Sequence, residues 1–297
     1  MKKTRIYILA FCLSLLILII GSLVIILKSR QPEPTYTIPR HIEYSFTIQN
    51  KTNRLVKQAE FWAYGPVKQT ATQLCTNLES SHPYKLTTDE LGNQILHFTI
   101  PELPPYGSKI ITIKADLLLS DTPNRLPSKS LKGFLRAEKY MESNDQEIAQ
   151  LAKKLDAKGP LETTEKIFGW VSSNIQYAGY LGNERGALYA LNSKKGDCTE
   201  YMYLFAALCR ANNIPARGIG GYVTSENAVL KPNGYHNWVE FYDGKVWRLA
   251  DPQKKLFMQD QSHYIAMRVI SESSDQAMGS YERFRVAGDG LKVKMNK

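Results

Sequence analysis

The chain has few of the residues that bind metals or form disulfide frameworks. Its 297 residues include 4 cysteines and 5 histidines, with no Cys-x-x-Cys pair and no closely spaced histidines. A structural zinc site is therefore not expected, and no metal or other cofactor is predicted. Cys75, Cys198 and Cys209 lie beyond the first apolar segment, and this odd number leaves at least one thiol unpaired within the chain.

The sequence also lacks internal repeats, low-complexity tracts and blocks of like charge. Its formal net charge is +10 at pH 7, but part of the excess flanks an apolar segment near the amino terminus and the rest is dispersed. Dispersed charge is typical of a solvated surface, so nucleic-acid binding is not expected. Hydrophobic residues make up 43% of the chain, which is enough for folded cores.

One long segment, residues 6–27, carries no charge. A helix of that length, rising about 1.5 Å per residue, crosses a hydrocarbon layer of about 30 Å, so residues 1–30 are predicted to form a transmembrane anchor. The alternative is a cleaved secretory signal, whose apolar region usually has about 7–15 residues and ends at a small-residue site that is missing here. More positive charge precedes the segment than follows it, which favours a single-pass membrane protein with its body on the extracytoplasmic side.

After a proline-containing linker, the pattern becomes that of strands. Ile42, Tyr44, Phe46 and Ile48 alternate with polar residues, as expected of a strand with one buried face. Further strand-like runs lie at 56–64, 94–100 and 109–117, separated by stretches that contain Gly, Pro or Asn. Residues 31–125 are therefore predicted to form a small antiparallel β-sandwich, an accessory domain.

From about residue 130 the apolar spacing becomes helical. Amphipathic helices are predicted over 147–157 and 161–175, with Gly159-Pro160 as a stop signal between them. A third, buried helix begins at Cys198, because Asp197 and Glu200 form a capping box. The strand-like runs that follow lie at 216–223, 236–242, 245–250, 264–270 and 283–286. A helical half followed by an antiparallel half predicts an α+β domain over residues 126–297.

Cys198 is a candidate nucleophile because of its place in the first turn of that helix. Free backbone amides and the helix dipole favour negative charge there, so they favour a thiolate. Buried cysteines are more often simply small apolar residues, which is the structural alternative. Cys209 lies about 16 Å further along the same helix, too far for a disulfide, and is interpreted as a core residue.

A hairpin is predicted to bring His236 and Asp251 together. Asp243-Gly244 between two strand-like runs indicates a two-residue type I′ turn, in which Tyr242 would pair with Lys245. The same register places His236 opposite Asp251, with Cβ atoms about 5 Å apart. Each of the two residues alone could equally be structural, but an imidazole held by a carboxylate, together with a thiol at a helix start, supplies a nucleophile, a base and an orienting group.

The segments 196–201, 214–217, 235–240 and 251–252 together resemble the transglutaminase-like superfamily, in its membrane-anchored prokaryotic form. The resemblance covers about residues 140–260 and implies a papain-like fold. It also implies that Cys198 is the nucleophile, His236 the general base and acid, and Asp251 the orienting carboxylate. The backbone amide of Cys198 is a reasonable oxyanion donor, with Trp170 or Tyr177 as candidates for the second donor.

The resemblance leaves the reaction open. Members of the family cross-link proteins, hydrolyse peptide or amide bonds, or remove glycans from asparagine, and a protein or peptide substrate is expected. Because paired zinc-binding cysteines are absent, the deglycosylase interpretation is weaker, and a protease or amidase is favoured slightly over a cross-linking enzyme. The competing hypothesis is a non-catalytic, membrane-anchored interaction module that retains the core as a scaffold.

The apolar segment and its charged flanks generate a topological prediction. A protease added outside intact cells should digest the chain beyond about residue 30, because the body of the protein is expected outside the membrane. Immunoblotting of treated and lysed cells measures this. Survival of the full-length body in intact cells, with digestion only after lysis, would show that the orientation is wrong.

Overall fold

Alternation of apolar and polar residues after residue 40 produces the first long strand. In the computed structural model, which describes residues 34–126, 131–272, 278 and 283–297, strand β1 (Ile38–Asn50) buries the predicted apolar face. Its neighbours in sequence are β2 (Val56–Tyr64), β3 (Gln73–Ser80), β4 (Lys85–Thr88), β5 (Gln94–Leu103) and β6 (Ser108–Leu119). The predicted strands β1, β2, β5 and β6 are confirmed, whereas β3 and β4 carry too few apolar residues to be recognised in the sequence.

Four α-helices lie in the described residues, and they precede most of the remaining strands. The helices are α1 (Gln146–Leu155), α2 (Pro160–Asn174), α3 (Ala187–Ser193) and α4 (Cys198–Ala211). The strands are β7 (Gln176–Tyr177), β8 (Lys195–Gly196), β9 (Ala216–Val223), β10 (Ala228–Val229), β11 (Tyr235–Tyr242), β12 (Trp247–Asp251), β13 (Leu256–Phe257), β14 (Tyr264–Ile270), β15 (Phe284–Ala287) and β16 (Leu291–Met295). The α+β class is therefore confirmed. Helix α1 ends at Leu155, before the predicted stop signal Gly159-Pro160, and Pro160 is the first residue of α2, where its missing N–H costs nothing.

The β-rich segment forms two sheets around a shared apolar core. One sheet has the order β10-β1-β6-β3, with β16 also paired to β1, and the other has the order β15-β2-β5-β4. Strands β10, β15 and β16 come from far along the chain, so the carboxyl-terminal part completes both sheets. Residues 35–297 form one compact unit, and the boundary at 125/126 stays a prediction.

Helix α4 is the centre of the second core. Every residue from Glu200 to Arg210 is buried, and the helix contacts α1, α2 and α3 as well as β9 and β11. The sheet against which it packs has the order β13-β12-β11-β9-β14 and is antiparallel throughout. A helix that is apolar on all sides needs this complete enclosure, which agrees with its predicted burial.

The predicted hairpin register is wrong by two residues. Tyr242 pairs with Trp247, not with Lys245, and the connection runs over residues 243–246. The cause is the Asp243 carboxylate, which accepts the backbone N–H groups of Lys245 and Val246, each at 2.8 Å, and so widens the turn. A shift of two residues keeps every side chain on its face of the sheet, so His236 and Asp251 remain on one face as diagonal neighbours.

The predicted transmembrane anchor at residues 1–30 lies outside the described residues. Within the part of the chain that the structure describes, no helix combines the length and apolar character needed to cross a membrane.

Gly244 in the widened turn provides a test of its geometry. Its φ is +95°, and a Cβ added there would meet nothing within 4 Å, so a substitution strains only the backbone. Gly244→Val should lower the free energy of unfolding by about 1–2 kcal/mol, because a β-branched residue disfavours positive φ. Urea denaturation measures this, with Gly244→Asn as the matched control that tolerates positive φ better. Equal losses in the two variants would contradict the turn geometry.

Candidate functional site

Cys198 is the first residue of α4, as the capping signal predicts. The Asp197 carboxylate accepts the N–H of Thr199 at 2.8 Å, and the Glu200 carboxylate accepts the N–H of Asp197 at 3.0 Å, which completes the capping box. Each bond satisfies one of the backbone donors that a helix start leaves free. The Cys198 thiol is free and half-buried, whereas those of Cys75 and Cys209 are fully buried.

The surroundings of Cys198 oppose the thiolate that its place at the helix start favours. Burial, followed by the negative charge of the adjacent Asp197, raises the pKa of the thiol to about 11. The neighbouring Asn237 backbone and Thr199 hydroxyl lower the pKa, but they do not offset the loss of water. Burial therefore opposes ionisation of the thiol, and the charge of the aspartate that caps the helix adds to that effect.

His236 and Asp251 are brought together in the interior of the protein. The Nε2 atom of His236 lies 2.6 Å from Oδ2 of Asp251, and the Asp251 side chain has no exposed surface. A carboxylate only accepts hydrogen bonds, so this contact places the imidazole proton on Nε2 and leaves the lone pair of Nδ1 available. The arrangement is that of a base oriented by a carboxylate.

Asp251 has two further donors that sequence reasoning missed. The Tyr264 hydroxyl donates to Oδ2 at 2.8 Å, and the backbone N–H of Lys254 donates to Oδ1 at 3.0 Å. Burial, together with the Asp251 charge, raises the pKa of Tyr264, so its hydroxyl remains a donor. Tyr264 begins a predicted strand far from the motif residues, and nothing in the sequence marks it as a partner of the carboxylate.

Asn237 connects the histidine strand to the nucleophile helix. It follows His236 directly, and its side-chain Nδ2 donates to the Thr199 hydroxyl at 2.9 Å. Thr199 directly follows Cys198, so this bond places the start of α4 beside the strand that carries the imidazole. The structure thus brings all three predicted residues, Cys198, His236 and Asp251, into one region.

The segment before α4 is tied to the helix start. The N–H of Leu181 donates to Asp197 Oδ2 at 2.9 Å, and the N–H of Arg185 donates to Glu200 Oε1 at 3.1 Å. Burial and the neighbouring Asp197 charge raise the pKa of Glu200. The two capping carboxylates therefore hold this segment as well as the helix.

The two candidate oxyanion donors lie in different places. Tyr177 is in β7, paired with Gly196 of β8, and its side chain is 53% exposed. Trp170 lies in a cleft between α1, α2 and α3, with the Lys194 ammonium 4.5 Å from its ring centre. Cys198 does not line that cleft. Of the two, Tyr177 is closer along the fold to Cys198, because its strand pairs with Gly196, two residues before α4 begins.

The described part of the chain contains no group of three or more His, Cys, Asp or Glu side chains placed to hold a metal ion.

Comparisons with known proteins agree with this geometry. Residues 149–252 match the family model of the transglutaminase-like superfamily, while a comparison with curated proteins gave no match. A solved structure of a candidate cysteine protease from Cytophaga hutchinsonii has a TM-score of 0.61 at 16% identity, covering 88% of this chain and 91% of that one. The periplasmic domain of TgpA from Pseudomonas aeruginosa has a TM-score of 0.38 at 14% identity, covering 71% and 88%. The first likeness shows a shared fold, and the second is too distant to carry an argument.

The raised pKa of Cys198 leads to a prediction about its alkylation. Only the thiolate reacts with iodoacetamide, so the rate should rise about tenfold per pH unit up to the thiol pKa. Asp197→Asn removes the nearest negative charge and should lower that pKa, so alkylation between pH 7 and 9 should become faster. Asparagine caps helices as well as aspartate does, so the start of α4 should be kept, but its single oxygen cannot also accept the N–H of Leu181.

The matched control is Asp145→Asn, which neutralises the N-cap of α1 in the same way. It should leave the rate unchanged. If Asp197→Asn and Asp145→Asn both alkylate at the rate of the parent protein, the Asp197 charge does not govern the thiol.

Proposed function

Since residues 149–252 belong to the transglutaminase-like superfamily, we propose that this chain is a cysteine-dependent acyl-transfer enzyme acting on peptide or amide bonds. Cys198 is the nucleophile, His236 the general base and acid, and Asp251 the carboxylate that orients the imidazole. The observation that carries the proposal is the buried hydrogen bond from His236 Nε2 to Asp251, on the strand whose next residue contacts the nucleophile helix.

The proposed reaction begins with a protonated thiol. As Cys198 Sγ attacks the substrate carbonyl carbon, Nδ1 of His236 takes the thiol proton, and the resulting imidazolium is stabilised by Asp251. The backbone N–H of Cys198, free in the first turn of α4, donates to the developing oxyanion. The imidazolium then protonates the leaving amine as the C–N bond breaks, which leaves a thioester on Cys198.

The second half of the reaction regenerates the thiol. Water or an amine attacks the thioester carbonyl, His236 removes the proton of the attacking group, and the proton returns to sulfur as the C–S bond breaks. Water gives hydrolysis and an amine gives a cross-link. Hydrolysis is placed first because the Cytophaga protein that shares the fold is described as a candidate cysteine protease.

The location of the enzyme is part of the proposal. The uncharged segment 6–27 and its flanking positive charges support a single membrane anchor, with the catalytic part on the extracytoplasmic side. The substrate would then be a protein or peptide outside the cytoplasm.

A non-catalytic interaction module is the second candidate, and the raised pKa of Cys198 favours it. A thiol that stays protonated at neutral pH is a weak nucleophile unless a base removes its proton. The two candidates therefore differ in whether His236 affects the reactivity of Cys198.

Substitution of the three residues should separate these candidates. Cys198→Ala should abolish turnover of p-nitrophenyl acetate and the acyl-enzyme seen by mass spectrometry, because no other group supplies the nucleophile. His236→Ala should abolish turnover and slow alkylation of Cys198. Asp251→Asn should cause a partial loss, since an amide no longer stabilises the imidazolium.

Cys75 and Cys209 are internal controls, because both thiols are buried. An electrophilic probe should label Cys198 in the native protein and the other two only after unfolding. If labelling of Cys198 proceeds at the same rate in His236→Ala at every pH, the scaffold proposal replaces the enzyme proposal. Incorporation of a fluorescent amine into casein would show that the thioester is attacked by an amine in preference to water.

A further inference from the structure

The Asp251 carboxylate depends on a residue outside the predicted triad. Oδ2 of Asp251 accepts hydrogen bonds from both His236 and Tyr264, at 2.6 and 2.8 Å. Tyr264 is buried, and its ring packs edge-on against Trp238, with 5.1 Å between ring centres. The direction in which Oδ2 faces the imidazole is therefore tied to the position of Tyr264.

Tyr264 lies in β14, which is the edge strand of its sheet. On one side, β14 pairs with β9, with a shift in register between Ala266 and Arg268. An edge strand leaves a row of backbone N–H and C=O groups unpaired on its other side. Where that side is buried, these groups need hydrogen-bond partners from elsewhere in the chain.

Two buried amide side chains from the β-rich segment satisfy that free edge. Gln73 accepts the N–H of Ala266 at 2.9 Å and donates to its carbonyl at 3.0 Å. Asn93 accepts the N–H of Val269 at 2.7 Å and donates to its carbonyl at 3.0 Å. Each amide thus pairs with β14 as a neighbouring strand would, and neither Gln73 nor Asn93 has exposed surface.

Further contacts hold this pairing in place. The N–H of Val67 also donates to the Ala266 carbonyl at 2.8 Å, and Gln73 donates to the carbonyl of Val67 at 2.8 Å. The Asp89 carboxylate fixes the Asn93 amide at 2.9 Å. We refer to Val67, Gln73 and Asn93 together as the amide clasp.

We propose that the β-rich segment sets the geometry of the triad: its amide clasp fixes β14, and Tyr264 of β14 is a positioning residue that aligns Asp251 with His236. The inference rests on the proposed function, because it gives the β-rich segment a role in that same site. A segment that only displayed a partner-binding surface would need no buried amides paired to the strand whose tyrosine hydrogen-bonds to Asp251.

Tyr264→Phe tests the last link, since it removes one oxygen and keeps the ring. The turnover number for p-nitrophenyl acetate should fall about tenfold, the size expected when one hydrogen bond to a charged group is lost. The KM should change less than about twofold, because no substrate contact is removed. In the proton NMR spectrum, the downfield signal of the His236 ring N–H, identified by its absence in His236→Ala, should change position.

Asn93→Ala tests the clasp. It should lower the turnover number and broaden the same ring N–H signal, because a looser β14 exposes the hydrogen bond to exchange with water. Asn50→Ala is its matched control: Asn50 is equally buried and donates to the carbonyls of Arg54, Leu103 and Pro104, away from β14. It should reduce thermal stability but leave the turnover number and the signal unchanged.

Tyr44→Phe is the matched control for Tyr264→Phe. It removes an equally buried hydroxyl, which donates to the Tyr64 carbonyl at 2.8 Å. Equal effects of each test variant and its control on turnover, or an unchanged ring N–H signal in Tyr264→Phe, would overturn the positioning role. A signal that responds as described in a protein with no turnover would overturn the proposed enzyme and still support the positioning of Asp251.

Discussion

The geometry of the site depends on how the protein stabilises a carboxylate that water cannot reach. Burying an ionised carboxylate costs several kcal/mol unless hydrogen-bond donors replace its water. The donors to Asp251 come from three places: His236 in β11, Tyr264 in β14 and the Lys254 backbone in the turn after β12. Because one charge needs all three, the positions of these elements are coupled, and the imidazole cannot move without affecting the other two donors.

Strand β11 uses its two faces for two different tasks. On one face, His236 contacts Asp251 and Glu240 pairs with Arg217 through bonds of 2.6 and 2.8 Å, with the Trp247 ring 4.3 Å from the guanidinium. On the other face, the Asn237 side chain bonds to Thr199 of α4, and Val239 and Phe241 join the apolar core around that helix. Successive residues of a strand point to opposite faces of the sheet. Alternate residues of this short motif therefore contact Asp251 on one face and α4 on the other.

Local signals in the sequence were sufficient to predict α4 and the place of Cys198 at its start. The capping box involves residues three apart, and the strand pattern of β1 repeats every two residues, so both could be predicted from a short window. The hairpin register could not be predicted in this way, because the Asp243 carboxylate binds the backbone N–H groups of the turn. The contact between His236 and Asp251 was therefore predicted from a register that is two residues off. It survived because an error of two residues leaves the face unchanged.

Contacts between distant parts of the chain were beyond sequence reasoning. Gln73 and Ala266 are 193 residues apart, and neither residue type indicates a partner. Polar amides in a predicted sandwich would ordinarily be placed on its surface, whereas here they are buried because the edge of β14 offers each of them a donor and an acceptor. The role of Tyr264 follows from the same long-range pairing.

The raised pKa of Cys198 restricts how the proposed reaction can begin. A preformed thiolate would be paired with an imidazolium at rest, whereas burial and the Asp197 charge disfavour a thiolate here. The proton must then leave the sulfur as the carbonyl is attacked, and the imidazole that Asp251 orients must accept it in that step. An enzyme of this kind gains more from accurate alignment of its base than from a reactive thiol, which is why the donors around Asp251 matter as much as the helix that carries Cys198.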